Sequence, residues 1–359
     1  MEAGYTELPR YAFRSVATFG AALLRAAGAR PADADRIIHI LVEANLQGVD
    51  SHGVARLPFY IRRMVKGLIN PRPRPRVVRA RGACALLDAD NGLGVLVGHE
   101  AMGRAMRLAR RFGVATVVVR NSNHYGAAGI HCERAAARGL IGLSTSNGEA
   151  CLPPWGGRRP FFSNNPFALA APTRGFPVVV DFATSVATRG SLMLARQTGT
   201  PIPQGWALDA EGRPTTDPAA AASGSLMPIA GPKGYALAMA LETLCGLLGG
   251  GEYGPGVKSL FANWNEPTRT THFFQAIDPG AFLPPTLFLD RMDEMVAQIR
   301  MAPRSSGVEG IRVPGERRHR LRTERQRQGI PLHPRIAEEL EALAREVGAR
   351  ARLHPLKAR

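Results

Sequence analysis

The chain has 359 residues, of which 45% are hydrophobic and 21% are charged, so its composition is that of an ordinary globular protein with one large core or two smaller ones. Residues 1–7 have neither the basic start nor the apolar run of a secretory signal. The most apolar stretch, residues 235–248, is too short and too polar to span a bilayer, so the sequence argues against both a secreted protein and a membrane protein.

The positive charge of the chain leaves two interpretations open. The formal net charge is +17, which fits either a nucleic-acid-binding protein or a protein whose substrate and cofactor are anions. The charge is spread along the chain except for eight arginines between Arg304 and Arg327, and no nucleic-acid-binding module accompanies them. We therefore expect small anionic ligands and no nucleic acid.

The cysteine content indicates a reducing compartment. No two cysteines stand in a C-x-x-C pair, so neither a metal motif nor a disulfide framework is expected in a chain of this length. The sequence predicts a cytoplasmic protein without a bound metal. The four cysteines are Cys84, Cys132, Cys151 and Cys245.

The first part of the chain has the periodicity of helices. Apolar residues recur three and four positions apart over residues 13–24 and again over residues 32–46. A third helix is expected from about residue 54 to residue 65, with Asp50 or Ser51 as its N-cap.

Beyond a stiff Pro-Arg linker at residues 71–76, strand and helix patterns alternate, which is typical of an α/β fold. The predicted strands are residues 77–78, 83–87, 116–119, 141–144, 178–182 and 273–277. The predicted helices are residues 99–112, 235–248 and 287–300, then a basic helix between residues 317 and 329 and a last helix over residues 334–347.

Three regions follow from this order of elements. We expect residues 1–76 to form an N-terminal helical region that carries part of the substrate site. Residues 77–305 would form the α/β cofactor-binding region, and residues 306–359 a helical tail. Helices at both ends indicate that the tail packs on the N-terminal region.

The glycine pattern of a Rossmann dinucleotide site is missing from the sequence. That site needs G-x-G-x-x-G between a strand and a helix. The nearest match, Gly-Leu-Gly-Val-Leu-Val-Gly at residues 92–98, has one residue too many, and a Walker A lysine loop is also missing. A nucleotide cofactor would have to bind in another way.

The segment Ser-His-Gly-Val-Ala-Arg at residues 51–56 combines a proton carrier with an anion binder. On a helix, His52 and Arg56 would share one face because they are four residues apart. Histidine exchanges a proton near neutral pH, and an arginine holds a carboxylate through two parallel hydrogen bonds. The pair suits a 2-oxo acid, although a capped helix with surface His and Arg side chains would give the same pattern.

Three further polar segments each have a functional and a purely structural interpretation. Asn-Ser-Asn-His-Tyr-Gly at residues 121–126 would line a site at a strand end or form a polar turn. Asp181, with the small hydroxyl residues after it, would bind a ribose, orient a histidine or cap a helix. Lys233 would add to an anion site at a helix start or lie in a plain turn.

In their order along the chain, these segments resemble one family. The order is S-H-G-x-x-R, N-S-N-H-Y-G, N-P, D-F-A-T-S, G-P-K-G-Y, T-H-F-F-Q-A-I-D and P-G-E-R. It closely resembles the type 2 malate/L-lactate dehydrogenase family, which includes ureidoglycolate and sulfolactate dehydrogenases, diketogulonate reductase and cyclic-ketimine reductases. The resemblance covers residues 13–347.

The resemblance implies a site, a fold and an assembly. His52 is implied as proton donor, His124 as proton acceptor, and Ser51 and Arg56 as substrate-binding residues. A non-Rossmann NAD(P)-binding fold with a largely antiparallel mixed sheet is implied, and so is a homodimer with the site near the subunit interface. The residues implied to contact NAD or NADP are Asp181, Phe182, Ala183, Thr184, Ser185, Pro232, Lys233, Gly315, Glu316 and Arg317.

Two positions depart from the family pattern. Many members have lysine where this chain has Ser191, and some offer a serine to the cofactor where it has Gly148. The reaction implied is hydride transfer between NAD or NADP and a small 2-hydroxy or 2-oxo acid. The alternatives are a cyclic imine reductase of the same family, a basic nucleic-acid-binding protein with degenerate motifs, and a catalytically damaged homologue.

Overall fold

The computed structural model describes residues 8–356. Its strands form where β-branched and apolar residues alternate. The strands are β1 (Arg10–Tyr11), β2 (Arg76–Arg81), β3 (Cys84–Asp88), β4 (Val114–Ser122), β5 (Ile141–Ser146), β6 (Phe167–Ala171), β7 (Val178–Phe182), β8 (Ala207–Leu208), β9 (Pro214–Thr215), β10 (Ser225–Leu226), β11 (Thr270–Ile277) and β12 (Ile330–Pro331). Residues 1–7, considered above for a secretory signal, lie outside the described residues, as do residues 357–359.

Helices form where apolar residues recur at the helical period. The helices are α1 (Phe13–Ala26), α2 (Pro31–Leu46), α3 (Leu57–Val65), α4 (Gly94–Phe112), α5 (Ala128–Ala136), α6 (Arg189–Thr198), α7 (Pro218–Ala222), α8 (Pro232–Glu242), α9 (Pro285–Met301), α10 (Glu316–Gln328) and α11 (Pro334–Glu346). Helix α8 continues directly into a π-helical turn, Thr243–Leu247. Across residues 8–356, every helix is too short or too polar to cross a membrane.

Seven strands form the central sheet in the order β2-β3-β4-β11-β5-β6-β7. Strands β3 and β4 run parallel, and the other neighbouring strands of this sheet are antiparallel. Strands β4, β5 and β7 therefore end at one edge of the sheet, where β11 and β6 begin. We call this the site edge, and Ser122, Ser146, Asp181 and Thr270 lie along it. The predicted α/β fold with a largely antiparallel mixed sheet is confirmed.

Helices cover both faces of the central sheet. On one face α4 and α5 pack against β4, β5 and β11, with Met102 and Phe274 in the shared core. On the other face the π-helical turn packs on β4 and β11, where Cys245 meets Val118 and Phe273. Because helices cover the faces, a ligand reaches the sheet at the ends of its strands.

The two ends of the chain pack together beside the sheet. Strand β1 pairs with β12, α10 packs on α2, and α11 packs on α3. Their shared core contains Leu24, Leu41, Tyr60, Leu340 and Leu343, each at most 1% exposed. Because burying one leucine side chain contributes about 1.5–3 kcal/mol, both ends of the chain stabilise the backbone around residues 51–65.

The helix predicted over residues 54–65 begins later than expected. Two 3-10 turns, Asp50–His52 and Val54–Arg56, precede α3 and are separated by Gly53 in a non-helical conformation. A Cβ atom at Gly53 would lie 2.1 Å from Asn45 Oδ1, so the chain needs glycine at this break. The continuous helix face expected for the histidine and the arginine, and the side-chain N-cap expected before it, are therefore wrong.

Other elements differ from the prediction mainly at their boundaries. Helix α4 begins five residues early, at Gly94, where a Cβ atom would lie 2.0 Å from the carbonyl oxygen of Asn123. Strand β4 continues to Ser122, so the first two polar residues of the N-S-N-H-Y-G segment belong to the strand. Strand β6, helix α5 and the small sheet β10-β8-β9 were not predicted, since their short, alanine-rich or irregular sequences carry little periodicity.

Candidate active site

His52 lies at the end of a short turn that two polar side chains hold in place. Asn45 Nδ2 donates to Asp50 Oδ1 (2.7 Å), and Asn45 Oδ1 accepts from the Val54 N–H (2.8 Å). Arg325 Nη1 also donates to Asp50 Oδ1 (2.8 Å). These bonds fix the backbone that carries His52, whose imidazole is half-buried.

One ring nitrogen of His52 is hydrogen-bonded and the other is open. Ser51 Oγ lies 2.9 Å from Nδ1, whereas Nε2 has no hydrogen-bond partner within residues 8–356. Burial, and next the charge of Arg56, lower the pKa of His52 to about 4, and the nearby Asp181 acts in the opposite direction. His52 is therefore neutral near pH 7 and has one nitrogen available for a ligand.

Arg56 offers an unfilled anion site beside His52. Its Nε donates to the carbonyl oxygen of Ser51 (2.6 Å), and its Cζ lies 4.9 Å from the ring centroid of Phe261. Within the described part of the chain, its two terminal amino groups have no acceptor. Burial lowers the pKa of Arg56, because it removes water from the charged guanidinium. A carboxylate would supply the missing partner.

His124 stacks on His52, with ring centroids 5.6 Å apart and planes inclined by 24°. Its Nδ1 accepts from the Gly126 N–H (3.3 Å) and lies 2.6 Å from the hydroxyl oxygen of Tyr60. Because a backbone N–H only donates, Nδ1 is an acceptor and the neutral ring carries its proton on Nε2. Burial, and next His52, lower the pKa of His124 well below its ordinary value. His124 thus presents an N–H donor beside the open nitrogen of His52.

Asp181 reaches the same region from the end of β7. Its Oδ2 accepts from the Gly129 N–H (2.9 Å) and from Arg318 Nη2 (2.6 Å). Arg318 Nη1 also lies 3.4 Å from Gln47 Oε1 and 3.5 Å from Glu133 Oε1. An arginine of α10 thus joins β7 to α2 and α5 next to the histidine pair.

Residues 181–185 form the end of β7 and the turn that follows. The N–H (2.8 Å) and the hydroxyl (2.9 Å) of Thr184 both donate to the carbonyl oxygen of Asn164. Ser185 Oγ is buried and has no partner in the part of the chain that the structure describes. Phe182 is 38% exposed and Ala183 is partly exposed. The turn therefore offers an unpaired hydroxyl and an open aromatic ring.

The second group of predicted cofactor residues lies beside this turn. Residues 227–229 run next to it, and Ser185 forms a β-bridge with Pro228. Helix α8 then begins at Pro232 without a side-chain cap, and Lys233 is exposed in its first turn with no ion pair among the described residues. The helix N-terminus and the ammonium group together favour a phosphate.

The third predicted group lies at the opposite end of β7 from Asp181. Gly315 sits so close to the start of β7 that a Cβ atom would meet the Pro177 carbonyl oxygen at 2.6 Å. Glu316 Oε1 accepts from Arg300 Nη2 (3.0 Å). Arg317 is exposed and lies close to Gly48, in the turn after α2. The structure thus brings two of the three groups to the site edge.

Arg318, which sequence reasoning missed, connects the third group to the site edge. The sequence offers two consecutive arginines, Arg317 and Arg318, and only the packing of α10 decides which one turns inward. Arg318 is partly buried against Asp181, whereas Arg317 is exposed. The pattern P-G-E-R alone could not select between them.

The two positions that depart from the family pattern have local structural partners. The Ser191 N–H donates to Thr188 Oγ1 (3.0 Å) in the first turn of α6. Gly148 lies next to Ser163, and an added Cβ atom would meet its side chain at 3.7 Å, an ordinary contact distance.

A second polar cluster, also missed, is buried behind the site edge. His272 lies with Nδ1 2.8 Å from Ser146 Oγ and Nε2 2.9 Å from Ser122 Oγ. Its ring stacks on Tyr125 at 4.8 Å with planes only 4° apart. Its sequence signal was a histidine directly before the predicted strand of residues 273–277, which carried no indication of partners.

The groups at these segments fit a nicotinamide cofactor. Within residues 8–356, no three His, Cys, Asp or Glu side chains are grouped so as to hold a metal. The buried, unpaired hydroxyl of Ser185 suits a polar ligand group, and the uncapped start of α8 with Lys233 suits a phosphate. Both lie in the segments that the sequence predicted for cofactor contact.

Comparison with known protein sequences identifies the family of this chain. Residues 11–341 match the sequence profile of the malate/L-lactate dehydrogenase family. A malate dehydrogenase of Pyrococcus abyssi is 37% identical and is matched over 98% of this chain and 97% of its own. A (2R)-3-sulfolactate dehydrogenase (NADP+) of Chromohalobacter salexigens is 38% identical over 92% of this chain and 97% of its own.

The fold comparison gives the same result. The solved structure of sulfolactate dehydrogenase from Methanocaldococcus jannaschii superimposes with a TM-score of 0.89 and 35% identity, and covers 94% of this chain and 97% of its own. The resemblance stated from the sequence motifs is confirmed, and so is the prediction of a dehydrogenase that acts on CH–OH groups. The chain belongs to the malate/L-lactate dehydrogenase family of oxidoreductases.

Proposed function

We propose that this chain transfers a hydride between NAD or NADP and a small 2-hydroxy acid or its 2-oxo form. The observation that carries the proposal is the open guanidinium of Arg56 beside the stacked pair His52 and His124. A cation that binds the carboxylate, a proton acceptor and a proton donor are what a site for a 2-hydroxy acid must supply at adjacent carbons of the substrate. The names of the relatives, malate and sulfolactate dehydrogenase, support the substrate class.

Arg56 would hold the substrate carboxylate. Its Nε is already bound to the carbonyl oxygen of Ser51, so the two terminal amino groups are left to make parallel bonds to the two carboxylate oxygens. The substrate's C2 oxygen would then lie toward the imidazoles of His52 and His124.

The two histidines would share the C2 oxygen in complementary states. In the tautomer with its proton on Nδ1, His52 donates to Ser51 Oγ, and Nε2 would then accept the hydroxyl proton during oxidation. His124 Nε2–H donates to the same oxygen and holds it in place. In the reduction direction, His52 returns the proton from Nε2 to the carbonyl oxygen. The substrate carboxylate would assist this proton transfer when it binds Arg56, because it offsets the positive charge that lowers the pKa of His52.

NAD or NADP, when bound at this site, would supply or accept the hydride at C2. We propose Asp181, Phe182, Ala183, Thr184 and Ser185 as its contacts at the end of β7. Pro232 and Lys233 would bind its phosphates at the start of α8, and Gly315, Glu316 and Arg317 would contact it from the start of α10. The unpaired Ser185 hydroxyl and the uncapped α8 support this assignment.

We further propose a cytoplasmic homodimer. None of the four cysteines is in a disulfide, which suits a reducing compartment. Helix α9 has no buried residue, and Met295, Ile299 and Met301 on it are 36–83% exposed, as expected of a surface that a second subunit covers. Sedimentation at micromolar concentration would give the mass of two chains. A monomer there would refute the dimer.

The reaction is tested by mixing the purified protein with NADH or NADPH and a panel of 2-oxo acids, while the loss of nicotinamide absorbance is followed. The panel holds the oxo forms of malate, lactate, sulfolactate and ureidoglycolate, together with cyclic imine carboxylates. We expect oxidation with at least one 2-oxo acid. Turnover of the imines alone would replace the hydroxy-acid assignment, and no turnover with any compound would refute the proposal.

A further inference from the structure

The interior of the molecule contains an arginine without an anionic partner. Arg63 on α3 is fully buried, and no carboxylate pairs with it among the described residues. A buried cation is costly unless polar groups surround it. Arg63 Nη1 donates to the carbonyl oxygens of Asn263 (2.6 Å) and Leu260 (3.3 Å), and Nη2 donates to that of Glu266 (2.8 Å).

These three carbonyls belong to one loop, residues 259–266, which precedes β11. We call it the arginine-bound loop. Trp264 covers the guanidinium of Arg63 at 5.5 Å, and its Nε1 donates to the Phe261 carbonyl oxygen (3.0 Å). Asn263 Oδ1 accepts from two N–H groups of the same loop (2.9 and 3.0 Å). A single buried guanidinium thus binds three carbonyl groups of the same loop.

The arginine-bound loop carries Phe261 to the substrate-binding arginine. The Phe261 ring lies 4.9 Å from Cζ of Arg56 and meets the Phe59 ring edge-to-face at 5.0 Å. Together with the bond from Arg56 Nε to the Ser51 carbonyl, this contact fixes the plane of the guanidinium. The two terminal amino groups of Arg56 have no acceptor among residues 8–356.

We propose that Arg63 is a positioning residue for substrate binding: it shapes the arginine-bound loop so that Phe261 holds Arg56 ready for a carboxylate. The inference rests on the proposed function, because it assigns Arg56 to the substrate. Without this contact, the long Arg56 side chain would lose rotamer freedom at the moment of binding, which weakens affinity. Arg63 and Phe261 themselves need not touch the substrate or the cofactor.

The direct test replaces Phe261 by leucine and measures steady-state kinetics with the 2-oxo acid that the panel identifies. Loss of one cation–π contact should raise the substrate KM about 2- to 30-fold. The kcat and the KM for the cofactor should stay within twofold. Phe282→Leu is the matched control, because Phe282 is 69% exposed in another turn. An unchanged substrate KM in Phe261→Leu would overturn the inference.

A double-mutant cycle separates positioning from general loosening of the structure. In an Arg56→Lys background, Phe261→Leu should raise the substrate KM little further, because the planar guanidinium that Phe261 contacts is gone. If Phe261→Leu raises KM by the same factor in both backgrounds, Phe261 does not act through Arg56 and the inference fails.

Arg63 itself is tested by Arg63→Lys, in which one ammonium group replaces the fork that reaches three carbonyls. We expect a raised substrate KM with a near-normal cofactor KM. If this variant folds and its substrate KM is unchanged, Arg63 is not the positioning residue. If it does not fold, the Phe261 cycle still tests whether the loop that Arg63 binds acts through Arg56.

Binding of oxalate by calorimetry distinguishes failure of this inference from failure of the proposed function. If wild type turns over no substrate but binds oxalate, and Phe261→Leu weakens that binding, the reaction is wrong and the positioning holds. If wild type turns over a 2-oxo acid and Phe261→Leu leaves both KM and oxalate binding unchanged, the reaction holds and the positioning is wrong.

Discussion

Two groups of histidines at the site edge differ in one respect. His52 and His124 stack on each other, and His272 lies deeper, stacked on Tyr125. Burial lowers the pKa in all three, so each is neutral near pH 7. Both nitrogens of His272 are bonded to serine hydroxyls, whereas His52 and His124 each keep Nε2 without a partner in the described chain. An open nitrogen, and not a lowered pKa, therefore marks the histidines that can act on a ligand.

The strongest test of this difference removes the open nitrogen of His52. His52→Gln keeps a polar side chain of similar length but cannot exchange a proton with the C2 oxygen of the substrate. We expect kcat for the identified substrate to fall about 10²–10⁴-fold, because a positioned general acid–base contributes that much. The melting temperature and the cofactor KM should change little, since His52 is half-buried with a single side-chain bond.

A matched control is His354→Gln, because His354 is exposed near the C-terminal end of the described chain. It should leave kcat unchanged. If His52→Gln retained wild-type turnover, His52 would not carry the proton, and the open nitrogen would be no guide to function.

The next largest effect is expected for Arg56→Lys. Lysine keeps the charge but offers one ammonium group in place of a planar fork, so one of two parallel bonds to the carboxylate is lost. A charge-assisted hydrogen bond contributes about 1.5–3 kcal/mol, which predicts a substrate KM raised roughly 10- to 100-fold. Steady-state kinetics should show kcat reduced much less than kcat/KM.

Arg79→Lys is the control for Arg56→Lys, because Arg79 lies on the exposed edge strand β2. It should leave KM unchanged. An equal rise of KM in both variants would point to a general effect of replacing arginine by lysine and away from a specific carboxylate site.

Much of the fold was predictable because it depends on period and composition. Strand β7 was predicted with its observed bounds, and the helices over residues 13–24 and 32–46 were predicted to within a few residues. Strand β6 was missed because Phe-Ala-Leu-Ala-Ala has no β-branched residue. It forms a strand because it pairs with β5 on one side and with β7 on the other.

The site was predictable in its residue types and less so in its geometry. The motif with His52 and Arg56 was found, but the break between them depends on the contact of Gly53 with Asn45. Contacts from distant parts of the chain carried no local signal. Tyr60 with His124, Phe261 with Arg56 and Arg318 with Asp181 are such pairs.

The buried histidine makes a prediction about stability in acid. Burial lowers the pKa of His272 to about 3, against 6.5 in an unfolded chain. As the pH falls below 6.5, His272 therefore binds a proton in the unfolded state and stays unprotonated in the folded state. His272 should reduce the free energy of unfolding by about 1.4 kcal/mol for each pH unit between roughly pH 6 and pH 4. Above pH 6.5 this penalty is absent.

Urea denaturation at several pH values checks the effect of His272. His272→Gln should be less stable at pH 8, because two serine hydroxyls lose a partner, and its stability should fall less steeply in acid. His354→Gln should keep the wild-type slope. Equal slopes in wild type and His272→Gln would show that His272 is not held neutral by burial.

The smallest expected effect concerns Tyr60, which joins the open pair to the core of α3. Its hydroxyl lies 2.6 Å from His124 Nδ1, and burial raises the pKa of Tyr60, so the group stays protonated and donates to the ring. Tyr60→Phe removes this bond but leaves the Gly126 N–H on the same nitrogen. A neutral hydrogen bond contributes about 0.5–1.5 kcal/mol, so kcat/KM should fall roughly 2- to 10-fold.

Tyr253→Phe is the control, because Tyr253 is exposed, and it should leave kcat/KM unchanged. A loss as large as that of His52→Gln would mean that the proton leaves through Tyr60 and His124, and that His52 only stacks beside them.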